Sequence, residues 1–154
     1  MDPLTLSIGI GLVVGLVFVS FLGLSTGGMV VPGYFALEMG APERVIMTLL
    51  ISVIIFGIVR LMSKFMIRYG RRRIAITVLV SFMLGTLSNT LLTQYMGSSS
   101  MFDNIQIIGY IIPGLIALSI DRQGLIETIG SLLIASVIIR LLLIVLIGPQ
   151  IVGI

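Results

Sequence analysis

The chain has 154 residues, 58% of them hydrophobic and 10% charged, with a formal charge of 9 − 6 = +3 and a mean hydropathy of +1.26. A soluble domain carries roughly 25% charged residues, so this composition excludes an ordinary soluble enzyme, a disordered chain and a fibrous repeat. Cysteine and histidine are both 0, which removes disulfides, thiolate and imidazole catalysis, and the usual zinc and haem ligand sets.

A membrane span needs about 20 apolar residues, so the length suits four or five spans and leaves no water-soluble domain. Met1-Asp2-Pro3 lacks the basic start of a signal peptide, and residues 4–24 are expected as a retained first span. Its glycines, Gly9, Gly11, Gly15 and Gly23, are expected to allow close helix packing. Residues 29–37 form an apolar piece too short to span, with Pro32-Gly33 at its centre. Pro32 disfavours helix at Val31 and removes a donor, so a broken, re-entrant or half-length segment is expected. Such backbone persists at membrane depth only where protein or water satisfies it.

Residues 38–44 read as a polar turn and 45–59 as the second span. Arg60, Lys64, Arg68, Arg71, Arg72 and Arg73 then place six of nine cations within fourteen residues, and no acid occurs between Glu43 and Asp103. Residues 74–92 read as the third span and 97–100 as a loop. Residues 105–120 are apolar around Pro113-Gly114, 121–124 form a second polar turn, and 125–147 the last span.

The chain contains a repeat. Gly28-Met29-Val30-Val31-Pro32-Gly33-Tyr34-Phe35-Ala36-Leu37 aligns with Gly109-Tyr110-Ile111-Ile112-Pro113-Gly114-Leu115-Ile116-Ala117-Leu118, and a charged turn follows each, Glu43-Arg44 and Asp121-Arg122. The helix after each turn carries a late arginine, Arg60 or Arg140. The expected fold is an all-α integral membrane protein, one transmembrane domain of two tandem repeats at about 4–66 and 74–148. Each repeat has two spanning helices around a Pro-Gly-broken re-entrant or short helix, for four to six membrane segments in all. If each broken segment returns to its own side, both repeats share one orientation. The basic loop at 60–73 is then cytoplasmic by the positive-inside rule, both chain ends lie inside, and both charged turns face outward. If the broken segments cross, this layout fails.

Several residues carry a functional and a plain reading side by side. Arg60, Lys64, Arg68 and Arg72, four apart, make one stripe on a helix continuing from the second span, and Gly70 is expected to end that helix. The stripe suits anionic lipid headgroups, at about 1 kcal/mol per cation, or a cytoplasmic partner, and Arg71 and Arg73 extend it. Pro32, Gly33, Pro113 and Gly114 are either plain kinks or a functional pair whose fresh helix starts present amide donors to anions. Arg44 and Arg122 add charge there, or pair with Glu43 and Asp121. Glu127 lies near a helix start, where the dipole favours it, and Arg140 is expected to snorkel toward the cytoplasmic face. No catalytic constellation or metal cluster is visible.

The segments Val30-Val31-Pro32-Gly33-Tyr34, Tyr69-Gly70-Arg71-Arg72, Ile112-Pro113-Gly114-Leu115-Ile116-Ala117 and Gln123-Gly124-Leu125 resemble, in order and spacing, the PgsC/CapC membrane subunit of bacterial poly-gamma-glutamate synthase. The resemblance runs from about residue 11 to 143. It implies a multi-pass protein of the bacterial cytoplasmic (inner) membrane that serves capsule or released polymer. It implies work with a cytoplasmic ATP-dependent ligase resembling PgsB/CapB and an extracytoplasmic subunit resembling PgsA/CapA. No cofactor is expected on this chain. ATP and a divalent metal are expected on the partner ligase, which is thought to activate a glutamate gamma-carboxylate as an acyl phosphate. Membrane lipid is an expected partner, nucleic acid is not, and homo-oligomers stay open. The chain is not expected to be catalytic alone. The competing readings are a small tandem-repeat transporter or channel for a low-molecular-weight anion and a purely structural anchor.

Overall fold

The computed structural model describes residues 2–65, 71–96 and 111–148, all of them helix or its connections. In chain order these are α1 (Pro3–Leu22), α2 (Val31–Glu38), α3 (Pro42–Met62), α4 (Arg71–Met96), α5 (Ile112–Gln123) and α6 (Leu125–Ile147). Among the described residues, α1, α3 and α6 are long and apolar enough to cross a membrane. At 1.5 Å per residue α4 is long enough too, at about 39 Å, but it is more polar. Its hydroxyls bond carbonyls of their own helix: Thr86 Oγ1 donates to Phe82 and Met83, Ser88 Oγ to Gly85, and Thr90 Oγ1 to Thr86 and Leu87. That pairing lowers the cost of placing them in an apolar medium.

Proline and glycine set the helix ends. Pro3 occupies the first turn of α1, where a missing N–H costs nothing. Gly23 closes α1 in the left-handed conformation at φ 64°, its N–H on the Val19 carbonyl at 3.1 Å. Pro32 starts α2 in the same way, and Pro42 opens α3 with Glu43 in the first turn and Arg60 in the last, both in the sense the helix dipole favours. The last span runs Leu125–Ile147, as expected. α3, expected as the second span, however, ends at Met62. Ser63 Oγ donates to the Arg60 carbonyl at 2.8 Å, and the Lys64 and Phe65 amides bond carbonyls three residues back. This tightening ends the α-helix, so the basic residues do not share one continuous helix. Gly70, expected as its terminator, lies outside the described residues.

The chain divides into two compact units, Met1–Met47 with Ser119–Ile154, and Thr48–Leu118. They cut across the sequence repeats. The first unit packs α1, α2 and α6. Ala36, Ile139 and Leu143 are buried at its centre with Leu6, Ile10, Val14 and Leu37 against them. The second unit packs Ala117 of α5 with Ile55 and Val59 of α3, and Ile51, Phe56, Val80 and Leu84 surround them.

Small residues make the closest approaches. In the first unit Gly11 and Gly33 meet backbone to backbone, and a Cβ on Gly33 would stand 2.8 Å from the Ser7 carbonyl oxygen. Ser7 Oγ, fully buried, donates to the Gly33 carbonyl at 2.7 Å. Gly15 faces the Met29 backbone. Gly9, by contrast, has nothing within 4 Å, so only part of the glycine pattern packs. In lipid, helix association rests on such van der Waals contact and hydrogen bonds rather than on the hydrophobic effect.

Gly33→Ala and Gly11→Val are each expected to cost about 1–3 kcal/mol by overpacking, read as a lower thermal midpoint in detergent. Gly9→Ala is expected to leave the midpoint unchanged. Equal midpoints for Gly33→Ala and Gly9→Ala would remove the close approach as a source of stability.

Candidate functional site

In the first unit the Pro-Gly segment does not fold back to the side it came from. After Gly23 the chain runs along α1 in reverse: Met29 lies beside Gly15, Gly33 beside Gly11 and Ser7, and Leu37 joins the cluster with Leu6 and Ile10. The segment thus covers most of α1, first as non-helical chain and then as α2. Pro32 and Gly33 are fully enclosed in this path. Pro32 fits because the second position of a helix needs no donor. Gly33 fits because a side chain has no room.

The non-helical stretch is held by Gln123, the last residue of α5. Its Oε1 accepts the Ser25 amide at 2.7 Å, and its Nε2 donates back to the Ser25 carbonyl and to Thr128 Oγ1 at 3.2 Å. A side-chain amide here replaces a neighbouring strand, satisfying both backbone polar groups of one residue. Ser131 Oγ adds a bond to the same carbonyl, and the Ser25 and Ser119 hydroxyls lie 3.3 Å apart. Backbone left non-helical at membrane depth needs such partners. Sequence reading placed Gln123 in a polar turn and in a family motif, without naming its partner. A glutamine beside a helix-breaking glycine at the end of an apolar run was the available signal.

The two charged turns lie at opposite ends of this unit. Arg44 follows α2 at the end where α1 begins, its Nη1 3.9 Å from Glu38 Oε1. Arg122 is beside Gln123, at the Ser25 end. The layout with both turns on one side therefore fails, because α2 carries the chain back along α1. Glu38 is an acid within reach of Arg44. That pair is half-exposed, and such pairs contribute about 0–1 kcal/mol. Arg140 also differs from its expected placement. It does not simply reach along α6, since its Nη1 donates to the Ala36 carbonyl at 3.2 Å. A cation near the C-terminal turn of α2 is favourable to the dipole.

In the second unit Gly114 rests on α4. A Cβ there would stand 2.8 Å from Ser81 Cβ, with the Thr77 carbonyl at 3.6 Å. Pro113 is buried. Thr77 bonds its own helix, at the Arg73 carbonyl. Arg60 is exposed, its guanidinium 5.6 Å from the centroid of the Phe56 ring, a contact worth about 0.5–1 kcal/mol at exposed sites. Lys64, Arg71 and Arg72 are exposed and Arg73 half-buried. Arg68 lies outside the described residues. Among the described residues no group of three or more His, Cys, Asp or Glu converges as a metal site.

Residues 10–129 match the family described as capsule biosynthesis CapC. The chain belongs to the CapC family. It is 38% identical over 138 residues to the "Capsule biosynthesis protein CapC" of Bacillus anthracis, covering 88% of this chain and 89% of that protein. It is 36% identical over 136 residues to the "PGA biosynthesis protein CapC" of Bacillus subtilis (strain 168), with the same shares covered. No solved structure matches it. CapC membership bears out the resemblance read from the motifs, and the three apolar helices agree with a membrane protein.

Gln123→Ala is expected to leave the Ser25 amide and carbonyl without their partner, at about 1–3 kcal/mol per buried group. The measurement is hydrogen exchange over residues 23–30, expected to become much faster in the variant than in the parent. Gly114→Ala is expected to be destabilising and to be rescued by Ser81→Gly, which removes the Cβ it meets. Failure of that rescue in a thermal-stability assay would show that the contact is not the limiting one.

Proposed function

We propose that this chain is the membrane subunit of a poly-gamma-glutamate synthase and export complex in the bacterial cytoplasmic membrane. The single observation that carries the reading is membership of the CapC family over most of the chain's length. The relatives' names tie that family to capsule and to PGA, read here as poly-gamma-glutamate. The chain anchors a CapB-like cytoplasmic ligase, works with a CapA-like extracytoplasmic subunit, and helps pass the polymer outward. ATP and a divalent metal belong to the ligase.

The physical problem favours such a division of labour. A polymer with one carboxylate per residue is costly to place in hydrocarbon. Activation of a carboxylate needs a nucleotide site, and the sequence carries no phosphate-binding glycine loop. What the chain offers instead is cations and irregular backbone. Lys64, Arg71 and Arg72, exposed beside α3 and α4, suit an acidic partner surface and anionic lipid alike. The Pro-Gly segments interrupt the helical ladder within the apolar body, where backbone donors can meet carboxylates. Arg44 and Arg122, at opposite ends of the first unit, then serve opposite mouths of a path rather than one.

The test is a mild-detergent pull-down from native membranes, assayed for glutamate-dependent ATP hydrolysis. Recovery of a ligase-sized partner with that activity is expected. The double charge reversal Arg71→Glu with Arg72→Glu is expected to lower partner recovery roughly tenfold or more. Unchanged recovery would sink the docking role. A chain that comes down alone, and by itself moves small anions into liposomes, would favour the transporter reading instead.

A further inference from the structure

The first unit by itself contains a parity argument about how the chain crosses the membrane. α1 runs from one end of the unit, called here end A, to the other, end B. The Pro-Gly segment returns to A, because Gly33 lies on Ser7 and Gly11 and because Leu37 joins Leu6. α6 also runs from B to A. Its start is tied to Ser25 through Gln123 and Ser131, while Ile139 reaches Gly11 and Arg140 reaches Ala36. The chain therefore leaves the unit at A, through the first turn of α3, and re-enters it at B, at Ser119 and Gln123.

A chain that leaves at one end and returns at the other has crossed an odd number of times between. Residues 48–118 hold two long helices, α3 and α4, packed together through Ile55, Val59, Val80 and Leu84. Two passages bring the chain back to A. One more passage is needed to reach B, and the stretch that carries α5 is what remains to make it.

The internal packing of the two units supports the same conclusion independently. α1 buries Ser7, Gly11 and Gly15, and α4 buries Thr77, Ser81 and Gly85, each a row of small residues four apart. Gly33 rests on the first two of one row, and Gly114 on the first two of the other. Ile10, Val14 and Ala36 line the first core, and Val80, Leu84 and Ala117 hold the matching places in the second. The third helix differs in origin. The first unit takes Ile139 from α6, and the second takes Val59 from α3. Each Pro-Gly segment thus packs on the long helix before it and on the last helix of the other repeat.

We propose that both Pro-Gly segments are membrane crossings, so that the chain crosses six times, three times in each repeat. End B faces the cytoplasm, and the start of α1, the 38–44 turn and the end of α6 face outward. Sidedness follows from charge. If α3 and α4 are the two passages, the joint between them, with Arg60, Lys64, Arg71, Arg72 and Arg73, lies one crossing away from the Arg44 turn, and cytoplasmic loops carry the excess of Lys and Arg. An odd number of crossings per repeat inverts the second repeat, which is how repeats related by an axis in the membrane plane arise. The arrangement stands apart from the synthase reading, because it needs no ligase.

Cysteine count 0 makes the test direct. Single cysteines are introduced as Asp2→Cys, Gly40→Cys, Lys64→Cys and Arg122→Cys in the full chain, expressed in its own cells. They are then probed with a membrane-impermeant maleimide before and after lysis. Gly40 has open space around it, so its variant should fold. Labelling of the Asp2 and Gly40 variants before lysis, with loss of outside labelling for the Lys64 and Arg122 variants until the membrane is opened, is the expected result. Labelling of the Gly40 and Arg122 variants from the same side overturns the six-crossing arrangement. Labelling of Lys64 and Arg122 from outside, with Gly40 protected, overturns the sidedness. A chain whose variants do not reach the membrane is read by reporter fusions after residue 148: an active exported phosphatase supports the proposal, and a fluorescent cytoplasmic reporter overturns it.

Discussion

The close approach of Gly33 to Ser7 and Gly11 is the contact on which the first unit depends. Two backbones meet there with no side chain between them, and a buried hydroxyl closes the gap with a 2.7 Å hydrogen bond. That contact keeps α2 against α1 and draws in Ala36, on which Ile139 and Leu143 pack. Without the hydrophobic effect to hold helices together in lipid, contact distance and hydrogen bonding decide packing. Glycine and serine at these places therefore matter more than the aliphatic residues around them.

The second constraint is the satisfaction of irregular backbone. α2 is only eight residues long, and the stretch before it has no helical ladder. The sequence answers with one glutamine and several hydroxyls. Gln123 pairs both the N–H and the C=O of Ser25, and Ser131 adds a third bond. Elsewhere the buried hydroxyls return to their own helices, as Ser52 does to Thr48 and Ser136 to Leu132. Among the described residues, buried polar atoms thus maintain backbone where it departs from helix and tie α2 to its neighbours at Gly33 and Ala36.

These two constraints shape what a CapC chain can contribute to capsule biosynthesis. It has no cysteine thiol and no imidazole. It brings broken segments inside an apolar body and close packing that holds the first of them against α1. The broken segments give the chain an interior that is not uniformly hydrocarbon.

Much of this was legible in the residues. Composition pointed to a membrane protein, Pro32-Gly33 and Pro113-Gly114 marked the starts of α2 and α5, and the last span was bounded by Gly124 and Gly148 as glycine chemistry dictates. The family was readable from four short motifs in order. The tertiary structure alone decided where the Pro-Gly segment goes after it breaks, because that depends on Gly11 and Ser7, more than twenty residues away. It also decided that Gln123 serves Ser25, that Arg140 turns to the Ala36 carbonyl, and that Arg44 and Arg122 stand at opposite ends. Hydropathy and local propensity see one helix at a time. Which helices share a core is set by small residues meeting across long separations, and a linear pattern carries no record of those meetings.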